Sequence, residues 1–155
     1  MSEKWDDRYL RLAKEVSKWS KDPSVKVGAI AVGDIGQVLA QGYNGFPRGV
    51  TDSIERYHDR ETKYRYVVHA EANCIYNAAR NGVSLDNATM YVFGLPACNE
   101  CAKAMIQVGI KRIVMPPKQN VPEKWLHSCE ESQQMLEEVG VSYDFAKTTI
   151  MERYP

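Results

Sequence analysis

The sequence has no excess of charge of either sign and no long apolar run. Twenty lysines and arginines balance twenty aspartates and glutamates, whereas proteins that bind long nucleic acids usually carry a basic excess. This balance predicts that no nucleic acid is a partner. No apolar stretch approaches membrane-spanning length, and the opening residues MSEKWDDR lack the apolar core of a signal peptide. We therefore expect no membrane partner and a cytoplasmic location.

Cysteine is scarce, and its spacing does not predict a disulfide framework. Of the four cysteines, two form a Cys-x-x-Cys motif at positions 98 and 101, which suits a reducing cytosol. The 155 residues also contain no internal repeat, low-complexity segment or linker. A chain of this length can bury one hydrophobic core but not two, so we expect residues 1–155 to form a single domain.

Hydrophobic periodicity predicts helices and strands in the order αββαβαβαβ. Residues 44–66 are polar and without clear periodicity, which predicts a long, functional loop. The pattern indicates an α/β fold with a mixed five-stranded sheet and helices on both faces. The predicted helices span residues 3–20, 70–81, 98–108 and 123–138, and the predicted strands span 25–32, 37–43, 88–93, 110–115 and 141–145.

Two short motifs supply ligands for one metal ion. His-Ala-Glu occupies residues 69–71, and Cys-Asn-Glu-Cys occupies residues 98–101. The imidazole of His69 with the thiolates of Cys98 and Cys101 makes a three-ligand zinc site, and such sites usually keep a fourth position for water or substrate. Both motifs fall at predicted helix starts, where the helix dipole favours thiolate. His-x-Glu with a downstream Cys-x-x-Cys is typical of zinc nucleobase deaminases.

Glu71 is expected to act beside the metal rather than to bind it. A zinc-activated water that attacks an amidine-like ring carbon, with one carboxylate that moves the protons, is hydrolytic deamination. The alternative is a closed structural zinc knuckle, completed by Cys129 or His127. Because Cys129 has no partner at metal-ligand spacing and Glu71 would lack a purpose, we favour the catalytic site.

A glycine-rich segment, GYNGFPRG at residues 42–49, follows the second predicted strand. Its glycines allow backbone amides to approach a ligand closely. Asn44 at the strand end could bond a sugar hydroxyl or a base edge, which favours a nucleotide ligand. The simplest interpretation of the charged segment 55–65 is a solvated loop. The alternative, more specific interpretation is that one of its basic residues contacts a phosphate.

The sequence resembles the deoxycytidylate (dCMP) deaminase family of the zinc-dependent cytidine deaminase superfamily. The shared stretches are SKDPSVKVGA (20–29), GYNGFPRG (42–49), KYRYVVHAEAN (63–73) and CNECAKAMIQVGIK (98–111). The metal motifs are common to the superfamily, and the 42–49 segment points to this family. The resemblance implies a three-layer α/β/α sandwich of the cytidine deaminase-like kind. It also implies conversion of dCMP to dUMP and ammonia, which would supply dUMP for dTMP synthesis.

The resemblance assigns roles to individual residues and implies an oligomer. Zinc would be held by His69, Cys98 and Cys101, with Glu71 as the proton shuttle. The nucleotide would contact Ala70, Asn44 at the deoxyribose, and Ser24 near the phosphate. Family members are typically homohexamers, and many are activated by dCTP and inhibited by dTTP. The region that binds such an effector, which could bring Mg²⁺ with it, matches Phe46, Pro47 and Arg48.

Two features depart from the family pattern. The family has proline directly before the first metal-binding cysteine, whereas Ala97 separates Pro96 from Cys98 here, and we expect a different turn into that helix. After residue 115 the resemblance fades, and the candidates for the phosphate side of the pocket are Lys118, Lys124 and Trp125. The open alternatives are a bifunctional dCMP/dCTP deaminase, a tRNA adenosine deaminase and an inactive nucleotide-binding homologue.

Overall fold

The computed structural model describes residues 2–118 and 121–147. The helices are α1 (Glu3–Ser17), α2 (Ile54–His58), α3 (Arg60–Tyr66), α4 (Ala70–Arg80), α5 (Asn99–Gln107) and α6 (Glu123–Val139). The strands are β1 (Gly28–Val32), β2 (Val38–Tyr43), β3 (Thr89–Phe93), β4 (Arg112–Met115) and β5 (Ser142–Phe145). Within these described ranges, no helix combines the length and the apolarity that crossing a membrane would require.

The five strands form one mixed sheet in the order β2-β1-β3-β4-β5. Strand β1 pairs antiparallel with both β2 and β3, whereas β3, β4 and β5 run parallel. The topology follows from the connections, because a short turn joins antiparallel β1 and β2, and helices α5 and α6 supply the crossovers that parallel neighbours require. The prediction of a mixed five-stranded sheet is confirmed.

Two apolar clusters, one on each face of the sheet, place the helices in two layers. Side chains alternate across a strand, so Ala29 and Ala31 of β1 face one cluster while Ile30 and Val32 face the other. Helix α1 covers the Ile30 face, and helices α4, α5 and α6 contribute to the cluster on the alanine face. The sheet therefore lies between helical layers, as the predicted α/β/α sandwich requires.

The prediction of a continuous loop over residues 44–66 is wrong, because α2 and α3 occupy its second half. Each helix is defined by its N-cap rather than by an apolar stripe. The side chain of Ser53 accepts a hydrogen bond from the Arg56 N–H, and the side chain of Asp59 accepts one from the Thr62 N–H. Such capping stabilises short polar helices that hydrophobic periodicity does not detect.

Helix α4 packs directly on strand β2 at Gly42, and we expect an alanine there to destabilise the fold. A Cβ atom at Gly42 would lie 2.3 Å from the backbone nitrogen of Cys74 and 2.5 Å from the carbonyl oxygen of Ala70. Because both atoms belong to the α4 backbone, neither can rotate away. Gly42→Ala should lower the free energy of unfolding by roughly 1–3 kcal/mol, as overpacking does elsewhere, in chemical denaturation.

Gly45→Ala is the matched control for this prediction. A Cβ atom at Gly45 would meet only the hydroxyl of Tyr57, at an ordinary 3.6 Å. The free energy of unfolding should therefore change by no more than about 0.5 kcal/mol, as expected for a substitution without a clash. Equal losses in the two variants would show that the contact between β2 and α4 is looser than these distances indicate.

Candidate metal centre and active site

Three potential metal ligands converge from the starts of two helices. His69 is the N-cap residue of α4, Cys98 is the N-cap residue of α5, and Cys101 lies three positions further along α5. Residues three apart share a helix face, so both sulfurs point to the same place. The Nδ1 atom of His69 lies 3.4 Å from the Sγ atom of Cys98 and 3.4 Å from that of Cys101. All three ligand atoms lie within 4.8 Å of one another.

This donor set fits zinc in both chemistry and spacing. Tetrahedral zinc with Zn–S bonds of about 2.3 Å and Zn–N bonds of about 2.0–2.1 Å separates sulfur from nitrogen by about 3.6 Å. The two Nδ1–Sγ distances of 3.4 Å are close to that value. Among the residues that the structure describes, neither Cys129 nor His127 joins the group. The closed knuckle therefore lacks a fourth protein ligand in the described part of the chain.

Hydrogen bonds prepare Cys98 to act as a thiolate. The hydrogen bond from the Cys101 thiol and that from His69 lower the pKa of Cys98 to about 4, although burial opposes the change. The same hydrogen bond raises the pKa of Cys101. The backbone N–H of Cys101 also points to the Cys98 sulfur, at 3.5 Å. In turn, hydrogen bonding to Cys98 raises the pKa of His69 to about 9. Zinc binds thiolate and neutral imidazole, so the lowered pKa of Cys98 favours metal binding, whereas binding would release the protons of Cys101 and His69.

Glu71 lies beside the three ligands without being one of them. Glu71 occupies the first turn of α4 and is only 4% exposed to solvent. Burial raises the pKa of its carboxyl group, while the nearby His69 acts in the opposite direction. A carboxyl group with a raised pKa next to a metal-capable cluster is well suited to accept and return protons near neutral pH.

A cavity of about 490 Å³ opens at this group. Its volume lies within the roughly 300–1,000 Å³ that is typical of small-molecule sites. His69, Glu71 and Cys98 form part of its wall, and so does the buried Cys129. The wall also includes apolar and basic side chains, among them Val27, Val67, Leu95, Arg60, Lys63 and Lys124. This combination suits a ligand with an apolar ring and an anionic group.

Asn44 lines the cavity, but most of its hydrogen-bonding capacity is already used within the protein. Its Oδ1 atom accepts a hydrogen bond from the Val27 N–H at 2.8 Å. Its Nδ2 atom donates to the carbonyl oxygen of Val25 at 2.9 Å and to Asp22 Oδ2 at 3.4 Å. Because an amide nitrogen has two hydrogens, only a second lone pair on Oδ1 is left for a ligand. Asn44 can therefore accept a hydrogen bond from a substrate but not donate one.

The other predicted substrate residues also lie at the cavity. Ala70 is buried at the start of α4, and Ser24 is exposed on the loop before β1. Of the three candidates for the phosphate side, Lys124 and Trp125 line the cavity and Lys118 does not. Ala97 is buried in the core, and Cys98 is still the N-cap residue of α5. The binding roles of Ser24, Asn44 and Ala70 stay predictions.

The segment predicted to bind an effector lies behind the cavity wall rather than in it. The ring of Phe46 stacks on Tyr57, a cavity-lining residue, with ring centroids 4.3 Å apart. The guanidinium of Arg48 donates a hydrogen bond to the side chain of Asn77 on α4 at 2.6 Å. Pro47 accepts a turn hydrogen bond from the Val50 N–H. The effector role of Phe46, Pro47 and Arg48 stays a prediction.

The cavity wall contains a buried ion pair that the sequence pattern does not predict. The Nζ atom of Lys63 on α3 lies 3.0 Å from Asp22 Oδ2, and both side chains are largely buried. Asp22 Oδ1 also accepts a hydrogen bond from the Ser24 N–H at 2.8 Å. The sequence Asp-Pro-Ser does carry the signal of such an Asx-type turn. The lysine, 41 positions away, has no local signal that would identify it as the partner.

A His/Cys/Cys group beside a buried glutamate, set in an α/β/α sandwich, defines a zinc-binding deaminase. The family model of the cytidine and deoxycytidylate deaminase zinc-binding region matches residues 3–116. The chain therefore belongs to the cytidine and deoxycytidylate deaminase family.

Relatives and a solved structure agree with this assignment. A probable deoxycytidylate deaminase of Drosophila melanogaster is 38% identical over 149 residues, which cover 90% of this chain and 70% of the relative. An uncharacterised deaminase from the luxG 3′ region of Aliivibrio fischeri is 34% identical over 153 residues, 98% of this chain and 100% of the relative. The dCMP deaminase of cyanophage S-TIM5, in complex with dCMP and dUMP, superimposes with a TM-score of 0.75 at 25% identity. That match covers 94% of this chain and 99% of the phage protein.

Proposed function

We propose that the protein is a dCMP deaminase, which hydrolyses dCMP to dUMP and ammonia with zinc as its cofactor. The observation that carries this proposal is the buried carboxyl of Glu71 next to the group formed by His69, Cys98 and Cys101, at the wall of a nucleotide-sized cavity. The names of several relatives, and the dCMP and dUMP bound to the phage enzyme, support the choice of substrate.

Each residue of the site has a part in the proposed reaction. His69, Cys98 and Cys101 would hold zinc, which when bound supplies the Lewis acidity that lowers the pKa of a coordinated water. Glu71 accepts a proton from the attacking water and donates it to the ring nitrogen N3 of cytosine. The water oxygen bonds to C4 as a hydroxyl group, Glu71 then moves the proton of that hydroxyl to the exocyclic amine, and the C4–N bond breaks as the carbonyl forms. Ammonia leaves, and the ring keeps the new oxygen.

The shape of the cavity supports a pyrimidine nucleotide. Apolar side chains such as Val27, Val67 and Leu95 offer the faces against which a base can pack. The free lone pair of Asn44 suits a sugar hydroxyl, which can donate a hydrogen bond. The exposed loop at Ser24 offers a place for the phosphate. Ala70 would close the base pocket at the start of α4.

The finer predictions remain part of this proposal. They are the single domain over residues 1–155, the cytoplasmic location, the homohexamer, and regulation by dCTP and dTTP with Mg²⁺. No observation on the described residues favours a tRNA adenosine deaminase, whose polyanionic substrate is poorly matched by the balanced charge of the chain. The intact ligand group and Glu71 argue against an inactive homologue.

A panel of substrates tests the proposed function. Ammonia release should be measured with dCMP, dCTP, CMP and cytidine, each with and without added dCTP or dTTP as effectors. We expect the highest kcat/KM for dCMP. No turnover of any of these compounds would contradict the proposal. Deamination of a tRNA substrate, with free nucleotides untouched, would replace it with the tRNA adenosine deaminase alternative.

A further inference from the structure

A lysine and two aromatic rings form a cluster at the cavity wall. The Nζ atom of Lys124 on α6 donates a hydrogen bond to the hydroxyl of Tyr64 on α3 at 2.8 Å. The same ammonium lies 5.1 Å from the ring centroid of Tyr64 and 5.2 Å from that of Trp125. The two rings meet edge to face, with centroids 5.8 Å apart. We call Tyr64, Lys124 and Trp125 the lysine–aromatic cluster, and all three residues line the cavity.

The cluster holds a positive charge that no anion of the protein neutralises in the described structure. Cation–π contacts and one phenol fix the position of the Lys124 ammonium without cancelling its charge. By contrast, the ammonium of Lys63, which also lines the cavity, is paired with the carboxylate of Asp22 at 3.0 Å. Two lysines thus face one cavity, and only Lys124 is available to an anionic ligand.

A second available cation, Arg60, stands beside the cluster. Arg60 lines the cavity one helical turn before Tyr64 on α3, so the two side chains lie on the same face of that helix. The hydrogen bond from Lys124 lowers the pKa of Tyr64, and the charge of Arg60 acts in the same direction, which indicates proximity. Within residues 2–118 and 121–147, no ion pair of Arg60 is found. The cavity therefore carries two uncompensated positive charges close together.

We propose that Lys124 and Arg60 bind the phosphate group of a nucleoside monophosphate, an inference that rests on the proposed function. Two positive charges match a phosphate monoester, which carries about −1.5 to −2 near pH 7, whereas a triphosphate carries roughly twice that charge. After its hydrogen bond to Tyr64, the Lys124 ammonium keeps two N–H donors, and the guanidinium of Arg60 offers a fork suited to phosphate oxygens. The pair would thus select for one phosphate.

Lys124→Gln and Arg60→Gln test this assignment. The readouts are kcat/KM for dCMP, deoxycytidine and dCTP, together with calorimetric affinities for dUMP and deoxyuridine. Each variant should lower the preference for dCMP over deoxycytidine, and for dUMP over deoxyuridine, by about 10- to 100-fold, as loss of a charged hydrogen bond implies. The calorimetric affinities for dUMP and deoxyuridine report the preference for the phosphate even if deoxycytidine is turned over too slowly to measure. Both side chains are exposed, so the variants should fold normally.

Two charge-matched substitutions outside the cavity are the controls. Arg65→Gln lies on the same helix as Arg60, where Arg65 makes an exposed ion pair with Glu61 at 3.7 Å. Lys103→Gln lies on α5, where Lys103 pairs with the exposed Glu100. Neither residue lines the cavity, so neither substitution should change the preference for the phosphorylated compound. A general effect of net charge would instead appear in all four variants.

The possible outcomes separate this inference from the proposed function. If the unmodified protein converts dCMP but Lys124→Gln and Arg60→Gln keep its full preference for phosphorylated compounds, the phosphate assignment is overturned and the activity stands. If dCTP is used as well as dCMP, selection for one phosphate is overturned. If the unmodified protein does not convert dCMP, the proposed function fails and this inference fails with it.

Discussion

Glu71→Gln is expected to lower kcat for dCMP by at least about 100-fold, the usual contribution of a general acid and base. The amide has nearly the shape of the carboxyl group but cannot accept and return a proton. Because Glu71 is buried and is not a member of the ligand group, zinc content and dUMP affinity should stay near those of the unmodified protein. Steady-state kinetics, elemental analysis and calorimetry on the same preparation measure the three quantities.

Glu100→Gln is the matched control for this prediction. Glu100 belongs to the same metal-binding segment, but its side chain is exposed and pairs with Lys103 on the surface. Its substitution should leave kcat essentially unchanged. If Glu71→Gln also kept its turnover, the proton-shuttle role of Glu71 would be refuted. If that variant instead lost zinc, its low activity would say nothing about proton transfer and would point to a structural role beside the metal.

Cys98→Ala should release the metal and abolish turnover. Removing one of three protein ligands leaves His69 and Cys101, and two side chains hold zinc far more weakly than three. The N-cap sulfur of α5, which also contacts Nδ1 of His69 on α4, is lost as well, so the contact between the starts of the two helices weakens. We expect most zinc to be lost on dialysis, a fall of at least about 100-fold in kcat/KM, as zinc supplies both water activation and charge stabilisation, and a lower melting temperature.

Cys129→Ala distinguishes this ligand set from the structural knuckle. Cys129 is a buried cysteine that lines the same cavity and lies outside the ligand group. Its alanine variant should keep zinc at the level of the unmodified protein. Zinc loss in this variant would indicate a fourth protein ligand and hence a closed site. Full zinc occupancy in Cys98→Ala would contradict the assignment of Cys98.

The sheet and the metal-capable group could be predicted from local sequence patterns, because interactions between residues close in sequence determine most of both. The strands carry β-branched and apolar residues in short runs, and a helix turn brings positions 98 and 101 to one face. His69 and Cys98 both sit at helix starts, and the two helices pack on the same side of the sheet. Because the motifs at 69–71 and 98–101 lie at helix starts, one contact between these two helices is enough to bring the three potential metal ligands together.

The rest of the site depends on contacts between distant parts of the chain. Helices α2 and α3 are too short and too polar to show an apolar period, so only their caps at Ser53 and Asp59 mark them. Lys124 meets Tyr64 across 60 positions of sequence. Likewise, the saturation of the Asn44 amide depends on where the loop before β1 lies. Composition and spacing contain no signal for such pairings, which tertiary packing alone decides.

The deaminase proposal requires that the metal centre keep one position for a ligand from solvent, next to Glu71. X-ray absorption spectroscopy at the zinc edge of the purified protein tests it most directly. We predict two sulfur neighbours at about 2.3 Å and one imidazole nitrogen at about 2.0–2.1 Å, with a fourth, light neighbour that changes when a nucleotide binds. A third sulfur or a second imidazole would mean that side chains close the site, and the deaminase proposal would be wrong.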